Sequence, residues 1–313
     1  MRIKLLASKI ENLLSCLSRI SNLRKHVVLC FSPEQLTVIL INSSSITQEP
    51  QVWCKFPMRS IFLEIEISSV RDNKIYLEIN IELFLQTLRN FDKDSSHELS
   101  IRLQKKEGPG RTRSAYLALF YSGVSINETS INHTFRIPIK ILKVDDRMMQ
   151  EPALPRIDLM TKLPSEFSAI YRRLEKFKGS AAHDRLILNA VRRDGGSLKF
   201  ILREADGCGT TIKWNDKLEI LRPPATISSD SLRAALIAND GDYDEEGLLD
   251  EVNVTVNLKD WCMAARIVSS CQSLLLYLCD NNACVIHCVL DDMGEAEVTY
   301  YISGVRHSEL DSD

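Results

Sequence analysis

Residues 2–20, RIKLLASKIENLLSCLSRI, combine two periodicities that decide the fold. Residues 2–7 are typical of an extended strand. The residues after them carry apolar side chains at i, i+3, i+4 and i+7, a spacing that places those side chains on one face of a helix. The four apolar positions are Ile10, Leu13, Leu14 and Leu17. The segment therefore predicts a strand followed by a helix that buries one face.

The same helical spacing occurs three more times along the chain. Its positions are Ile81, Phe84, Leu85 and Leu88; Phe167, Ile170, Tyr171 and Leu174; and Trp261, Ala264, Ala265 and Val268. Each predicted helix is preceded by one strand-like run and followed by three more, and turn residues between neighbouring runs favour antiparallel pairing. The predicted strands are 2–7, 27–31, 36–41, 52–56, 74–80, 98–103, 115–121, 134–141, 157–163, 185–191, 198–203, 210–214, 251–258, 274–279, 284–290 and 297–302. We therefore expect an α+β chain of four strand–helix–three-strand units.

Four such units in 313 residues pair naturally into two domains. The first domain is expected at residues 1–144 and the second at residues 158–313. Residues 145–157 between them form a connector stiffened by Pro152 and Pro155. The second domain carries an acidic insertion at about residues 215–250.

The composition is that of a soluble globular protein, with 44% hydrophobic and 26% charged residues. It excludes disordered, collagen-like and disulfide-scaffold proteins. The formal charge of −3 gives no overall basic excess.

Neither a membrane span nor a signal peptide is expected. The longest uncharged, mainly apolar run, residues 267–279, is shorter than the ~18 residues of a membrane span. Charged residues interrupt the amino-terminal leucines, which argues against a signal peptide. The nine cysteines include no Cys-x-x-Cys pair, and disulfides are not expected.

Two groups of residues have the types that bind metals, but their spacing argues against a site. Asp240, Asp242, Asp244 and Glu251 match positions one, three, five and twelve of an EF-hand loop, yet position six is Glu245 instead of glycine. An acidic solvated loop is the preferred interpretation. Strand alternation places Cys284 and Cys288 on one face and His287 on the other. No nucleophile elbow, P-loop or dinucleotide fingerprint occurs, so no enzyme, cofactor or metal is predicted.

Positive charge is concentrated on the predicted helices. Residues 9–25, 81–93, 166–178 and 258–268 carry +3, 0, +2 and +1, or +6 together, which leaves −9 on the rest of the chain. The positions opposite the apolar faces include no acidic residue; they are Ser15, Arg19, Gln86, Asn90, Arg172, Lys176, Arg266 and Ser270. This segregation indicates a basic surface made by helices, although exposed helix faces are often merely solvated.

Eight short motifs, in order and spread over nearly the whole chain, resemble the Hus subunit of the checkpoint sliding clamp. They are Arg19-Ile20-Ser21-Asn22, Ser32-Pro33-Glu34-Gln35-Leu36, Val52-Trp53-Cys54, Ile75-Tyr76-Leu77-Glu78, Ile137-Pro138-Ile139-Lys140, Gln150-Glu151-Pro152 with Pro155, Leu163-Pro164 and Tyr300-Tyr301-Ile302. The resemblance implies a fold like that of proliferating cell nuclear antigen, with two similar domains per subunit, sheets outside and helices lining a ring. In this family the ring, the nine-one-one clamp, is a heterotrimer with two other clamp-like checkpoint subunits. A checkpoint clamp loader places it on DNA at damage or stalled replication sites. A nuclear location, also cytoplasmic, follows from the resemblance.

A ring of this kind implies loose, sequence-independent contact with double-stranded DNA. The expected DNA-facing residues are Arg19, Arg172, Lys176 and Arg266, flanked by Lys9, Arg89, Lys93, Arg173 and Lys259. By analogy with clamps, the subunit edges are expected at strands 115–121 and 185–191, and other partners beside the connector 145–157. Three alternatives remain: a homotrimeric replication clamp, a metal-dependent enzyme using Asp240, Asp242 and Asp244, and an interaction scaffold without DNA contact.

Overall fold

The structure is a computed structural model that describes residues 1–7, 10–41, 50–93, 98–107, 113–124, 130–143, 149, 151–153, 156–177, 184–203, 209–214, 218–222, 249–268, 271, 273–290 and 296–305. The chain divides into two compact units, the first mainly residues 1–41 and 52–150 and the second mainly residues 151–294 and 298–313. The main division therefore lies between residues 150 and 151. The domain boundaries at residues 144 and 158 stay predictions.

The first unit contains two of the four predicted strand–helix–three-strand segments. Its elements are β1 (Arg2–Ala7), α1 (Glu11–Ile20), β2 (His26–Phe31), β3 (Gln35–Leu40), β4 (Gln51–Pro57), α2 (Met58–Ile61), β5 (Phe62–Ser68), β6 (Ile75–Asn80), α3 (Ile81–Lys93), β7 (Leu99–Glu107), β8 (Arg113–Val124) and β9 (Ser130–Ile141). The strands follow the order β4-β3-β2-β6-β9-β8-β7-β1-β5 and pair antiparallel.

The core of the first unit lies beneath α1 and α3, which pack against each other. The face of α3 is the predicted one, since Ile81, Phe84, Leu85 and Leu88 are all buried. At α1, three of the four predicted positions are buried, namely Ile10, Leu13 and Leu17. Leu14 is only half-buried. The buried face also includes Cys16 and Ile20. The predicted face is therefore confirmed except at Leu14.

Helix α2 and strand β5, which lie between the two predicted segments of the first unit, were not predicted. Strand β5 alternates Glu64 and Glu66 with apolar residues and pairs along its length with β1. Arg2 of β1 forms an ion pair with Glu66, with Nη1 and Oε1 2.7 Å apart. The alternation that defines β5 was present in the sequence but was not recognised.

The second unit contains the other two predicted segments. Its elements are β10 (Leu159–Leu163), a 3₁₀ turn (Ser165–Phe167), α4 (Ser168–Glu175), β11 (Arg185–Val191), β12 (Ser197–Arg203), β13 (Gly209–Trp214), β14 (Glu219–Leu221), β15 (Glu251–Asn257), α5 (Leu258–Val268), β16 (Ser273–Cys279), β17 (Ala283–Val289) and β18 (Glu297–Ser303). They form two sheets, β14-β10-β16-β17-β18 and β13-β12-β11-β15. Strand β14 lies within the predicted insertion and was not anticipated.

Aromatic side chains fill the core beneath α4 and α5. Tyr171 of α4 stacks on Trp261 of α5, with ring centroids 5.0 Å apart and planes at 11°. Phe167 packs edge-on against Tyr171 at 5.5 Å and contacts Phe200 of β12 at 5.7 Å. The apolar positions predicted for these two helices are therefore buried, apart from Ala265, whose side chain lies outside the described residues.

Helices α3 and α5 each start directly after an asparagine that caps them. Asn80 Oδ1 accepts hydrogen bonds from the backbone N–H groups of Glu82 and Leu83 at the start of α3. Asn257 Oδ1 accepts one from the N–H of Lys259 at the start of α5. The two units therefore resemble each other in the succession of strands and helices and in the chemistry of the helix caps. The predicted antiparallel clamp fold of four strand–helix–three-strand units is confirmed.

Candidate nucleic-acid interface

Helix α4 and its C-cap residue, Lys176, present a cluster of positive charge on the face that does not pack. Arg172, Arg173 and Lys176 are exposed, while Ile170, Tyr171 and Leu174 are buried on the other face. None of the three cations forms an ion pair within the described part of the chain. Their charge is therefore available to an anionic partner, although Glu175 is exposed beside them.

Helices α1 and α3 also carry cations on their outer faces, but these are fewer and lie among exposed carboxylates. Arg19 is half-buried and has no ion-pair partner among the described residues. Arg89 is exposed, and its Nη2 donates a hydrogen bond to Oγ of Ser18 at 3.1 Å. Glu11 and Glu82 are also exposed on these helices. The positive surface of the first unit is therefore interrupted by carboxylates.

The remaining candidates differ in how far the structure describes them. Lys259 is exposed in the first turn of α5, where the helix dipole disfavours a cation. Lys93 and Arg266 belong to α3 and α5, but their side chains lie outside the described residues, as does the whole of Lys9. The structure thus brings together Arg172, Arg173 and Lys176, and the assignment of all nine residues to DNA stays a prediction.

The two strands expected to form subunit edges lie inside their sheets. Strand β8 (Arg113–Val124), which contains residues 115–121, pairs with β7 on one side and β9 on the other. Strand β11 (Arg185–Val191) pairs with β12 and β15. Their backbone groups are already bonded on both sides, so this prediction was wrong.

Each unit leaves another strand edge open. Strand β9 pairs with β8 along its whole length, whereas on its other side only residues 139–141 pair with β6. Residues 130–138 therefore have a free edge within the described part of the chain. Among the described residues, strand β13 pairs only with β12, and none of the β13 residues is buried. At the opposite end of that sheet, β15 is partly covered, because the N–H groups of Asn281 and Val305 bond to its carbonyl groups.

The sequence contains an indication of the β9 edge. Pro138 lies in β9, and proline has no N–H group to give to a second neighbouring strand, so it is confined to edge strands. The candidate strand β8 contains no proline and has apolar residues on both faces. Pro138 therefore indicates that β9, and not β8, is the edge strand.

The structure describes only part of the acidic segment considered for metal binding. Asp240, Asp242 and Asp244 lie outside the described residues. Glu251 belongs to β15, and its carboxylate accepts a hydrogen bond from Asn189 of β11. Among the described residues, no three His, Cys, Asp or Glu side chains come together as metal ligands would.

The cysteines of β17 lie on the face away from His287. Cys284 and Cys288 face Tyr171 of α4. His287 stacks on Tyr277 at 6.2 Å, and its Nδ1 is 3.1 Å from Oγ1 of Thr299. Burial raises the pKa of the Cys284 thiol well above its usual range and, with the nearby Asp158, that of Cys279 to about 12. These thiols stay protonated and pack as apolar groups.

No helix in the described part of the chain has the length and apolar character needed to cross a membrane.

The profile of the family described as "Hus1-like protein" matches residues 1–306. The chain is 23% identical to the DNA damage checkpoint control protein MEC3 of Eremothecium gossypii over 88% of each chain. It is 23% identical to the checkpoint protein hus1 of Schizosaccharomyces pombe over 97% of this chain and 99% of the relative. MEC3 of Saccharomyces cerevisiae is also 23% identical, over 74% of this chain and 65% of the relative. The resemblance seen in the eight motifs is confirmed, and the chain belongs to the Hus1-like family of DNA-damage checkpoint proteins.

Proposed function

We propose that the chain is a non-catalytic subunit of a heterotrimeric checkpoint clamp, in which two other clamp-like subunits complete a ring around duplex DNA. The match to the Hus1-like family over residues 1–306 supports the checkpoint role over the homotrimeric replication clamp and the metal-dependent enzyme. The ring acts in the nucleus, with a further cytoplasmic pool, and a checkpoint clamp loader places it at damage or stalled replication sites.

The observation that carries the ring is that each unit has a long strand edge open within the described residues, in addition to the terminal strands β5 and β14. The edge of β9, residues 130–138, belongs to the first unit, and the edge of β13 belongs to the second. Two different edges on one chain suit a head-to-tail assembly, in which each subunit offers unlike surfaces to its two neighbours. Pairing with those neighbours satisfies backbone groups that would otherwise promote aggregation.

The helix cations support the contact with DNA. Arg172, Arg173 and Lys176 are exposed and have no ion-pair partner in the described part of the chain. Cations that contact phosphates without reading bases give binding that depends strongly on salt and is compatible with sliding. Arg19, Arg89 and Lys259 extend the surface to the other helices. Lys9, Lys93 and Arg266 complete the proposed set.

The test of the assembly is the mass of the full-length chain by light scattering, alone and after co-expression with the two other candidate clamp subunits of the same organism. We expect a species of 35.5 kDa for the chain alone and a one-to-one-to-one complex on co-expression. A stable homotrimer of the chain alone would instead indicate a replication clamp. A chain that stays monomeric with both subunits would exclude the ring.

A further inference from the structure

A cleft of about 780 Å³ lies in the first unit, where β6 meets β9. Its walls are formed by the ends of these strands and of β7 and β8, by the turn before β6 and by the residues just after β9. No described side chain of α1 or α3 lines it. The cleft is therefore separate from the helix surface proposed to face DNA.

The cleft concentrates positive charge in a chain whose formal charge is −3. Five cationic side chains line it, and none of the described lining residues is acidic. The five are Arg71, Lys74, Lys105, Lys140 and Lys143. Lys140 is partly neutralised, because its Nζ is 3.5 Å from Oε2 of Glu78. Lys74, Lys105 and Lys143 are exposed and form no ion pair with a described residue, so they can attract an anionic ligand.

The turn that carries two of these cations has a defined conformation. The N–H of Lys74 donates a hydrogen bond to the carbonyl oxygen of Arg71 at 2.7 Å. Asn73 Oδ1 accepts one from the N–H of Ser69 at 3.1 Å. Asp72 and Asn73 occupy the left-handed region, at φ 44° and 57°, which these residue types tolerate well. The backbone beneath Arg71 and Lys74 is thus arranged before a ligand arrives, which reduces the ordering cost of binding.

Apolar groups form the rest of the cleft. Tyr116, Ile139 and Ile141 line it and are half-buried, and the exposed ring of Pro138 lies beside them. Such surface releases water when it contacts an apolar side chain. A duplex, whose phosphates lie on a convex surface, could touch the cationic rim but could not reach the apolar wall. The combination suits a ligand that carries both anionic groups and an apolar side chain.

We propose that this cleft binds an acidic linear peptide of a partner protein, in which Asp and Glu residues flank an apolar or aromatic side chain. The carboxylates contact Lys74, Lys105 and Lys143, and the apolar side chain packs against Tyr116 and Ile139. The residues that line the cleft belong to this chain, so binding can be tested on the chain alone. Pro138 also belongs to the proposed subunit edge, so the assembled complex is tested separately.

The test uses fluorescence anisotropy with a labelled peptide that has a central Leu-Phe pair flanked by Asp and Glu. We expect saturable one-to-one binding that the Lys74→Glu, Lys105→Glu double variant weakens by roughly tenfold. The Arg59→Glu, Arg203→Glu double variant is the matched control, since it makes the same change in net charge and both arginines are exposed but do not line the cleft. Replacing the peptide's Leu-Phe pair by Ala-Ala should also weaken binding.

Three results would overturn the proposal. Absence of saturable binding excludes a peptide site. Equal loss of affinity in the Arg59→Glu, Arg203→Glu control and in the Lys74→Glu, Lys105→Glu variant would mean that the peptide responds only to net charge. Competition by duplex DNA that depends on Lys74 and Lys105, together with indifference to the Ala-Ala change, would assign the cleft to nucleic acid instead.

Discussion

Arg89 on α3 donates a hydrogen bond from Nη2 to Oγ of Ser18 on α1, 3.1 Å away, and so connects two helices 71 positions apart in sequence. The two helices pack side by side, and this bond bridges their exposed surfaces. The bond holds the guanidinium in place, whereas Arg172 and Lys176 on α4 have no such tether in the described part of the chain. Arg89 is therefore positioned by the packing of α1 against α3.

The Ser18–Arg89 bond should contribute modestly to the stability of the first unit. Ser18→Ala removes the acceptor, whereas Ser15→Ala changes an exposed serine of the same helix without a side-chain hydrogen bond among the described residues. Both changes gain the same helix propensity. We expect Ser18→Ala to have a free energy of unfolding about 0.5–1 kcal/mol lower than Ser15→Ala in urea denaturation. Equal stabilities would show that the bond contributes nothing.

Reversing the charges on α4 should weaken the binding of the assembled complex to DNA. Because each phosphate contact adds about one to the slope of log K against log salt, the Arg172→Glu, Lys176→Glu double variant should reduce that slope by about two. Its affinity at low salt should fall by about tenfold or more. The measurement is duplex binding by anisotropy at several salt concentrations.

The control for that experiment is the Arg59→Glu, Arg203→Glu double variant, which makes the same change in net charge. Both arginines are exposed and lie outside helices α1, α3, α4 and α5. We expect this variant to keep the wild-type salt slope. An equal loss in both double variants would trace the effect to net charge, and unchanged binding in both would favour a scaffold that does not contact DNA.

Hydrogen exchange should identify the strands that join subunits. Amides on the open side of β9, residues 130–138, and of β13 lack a neighbouring strand, so they should exchange quickly in the chain alone and slowly in the three-subunit complex. Amides of β8 and β11 are paired on both sides and should be protected in both samples. New protection confined to β5 or β14 would place the interface at other edges.

The helices and most strands of this fold were predictable because each follows a local periodicity. The positions Ile81, Phe84, Leu85 and Leu88 of α3 are all buried, as their spacing required. The strand edges were not predicted, because edge position depends on pairing between distant segments. Residues 130–141 pair with β8 along one side and barely with β6 on the other, a relation that only Pro138 indicated in the sequence.

The cationic cleft was also beyond sequence reasoning, for a similar physical reason. Lys74, Lys105 and Lys143 come from three separate segments, and no periodicity joins them. The helix cations were easier to find, since Arg172 and Lys176 lie four positions apart on one helix face. A cluster of cations within one helix can be predicted from local sequence spacing. A cluster formed by several strands and loops can be predicted only when the register of the sheet is known.

The hydroxyl of Tyr171 should destabilise the core in which it lies. The side chain is buried beneath α4, and its oxygen has no hydrogen-bond partner among the described residues. Burial, with smaller effects from nearby groups such as Cys284, raises the pKa of Tyr171 well above its usual range, so the hydroxyl stays neutral. An unpaired buried hydroxyl loses its bonds to water without replacement. We therefore expect Tyr171→Phe to raise the free energy of unfolding by up to about 1 kcal/mol.

Tyr300 provides the matched comparison, because its hydroxyl is satisfied. It is also fully buried, but its Oη donates a hydrogen bond to the carbonyl oxygen of Asp260 at 3.0 Å. Tyr300→Phe removes the same atom and leaves that carbonyl with one bond fewer, so the free energy of unfolding should fall by about 1 kcal/mol. Urea denaturation of the two variants tests the pair. If Tyr171→Phe destabilised the chain as much as Tyr300→Phe, then the Tyr171 hydroxyl must bond to a residue outside the described part or to water.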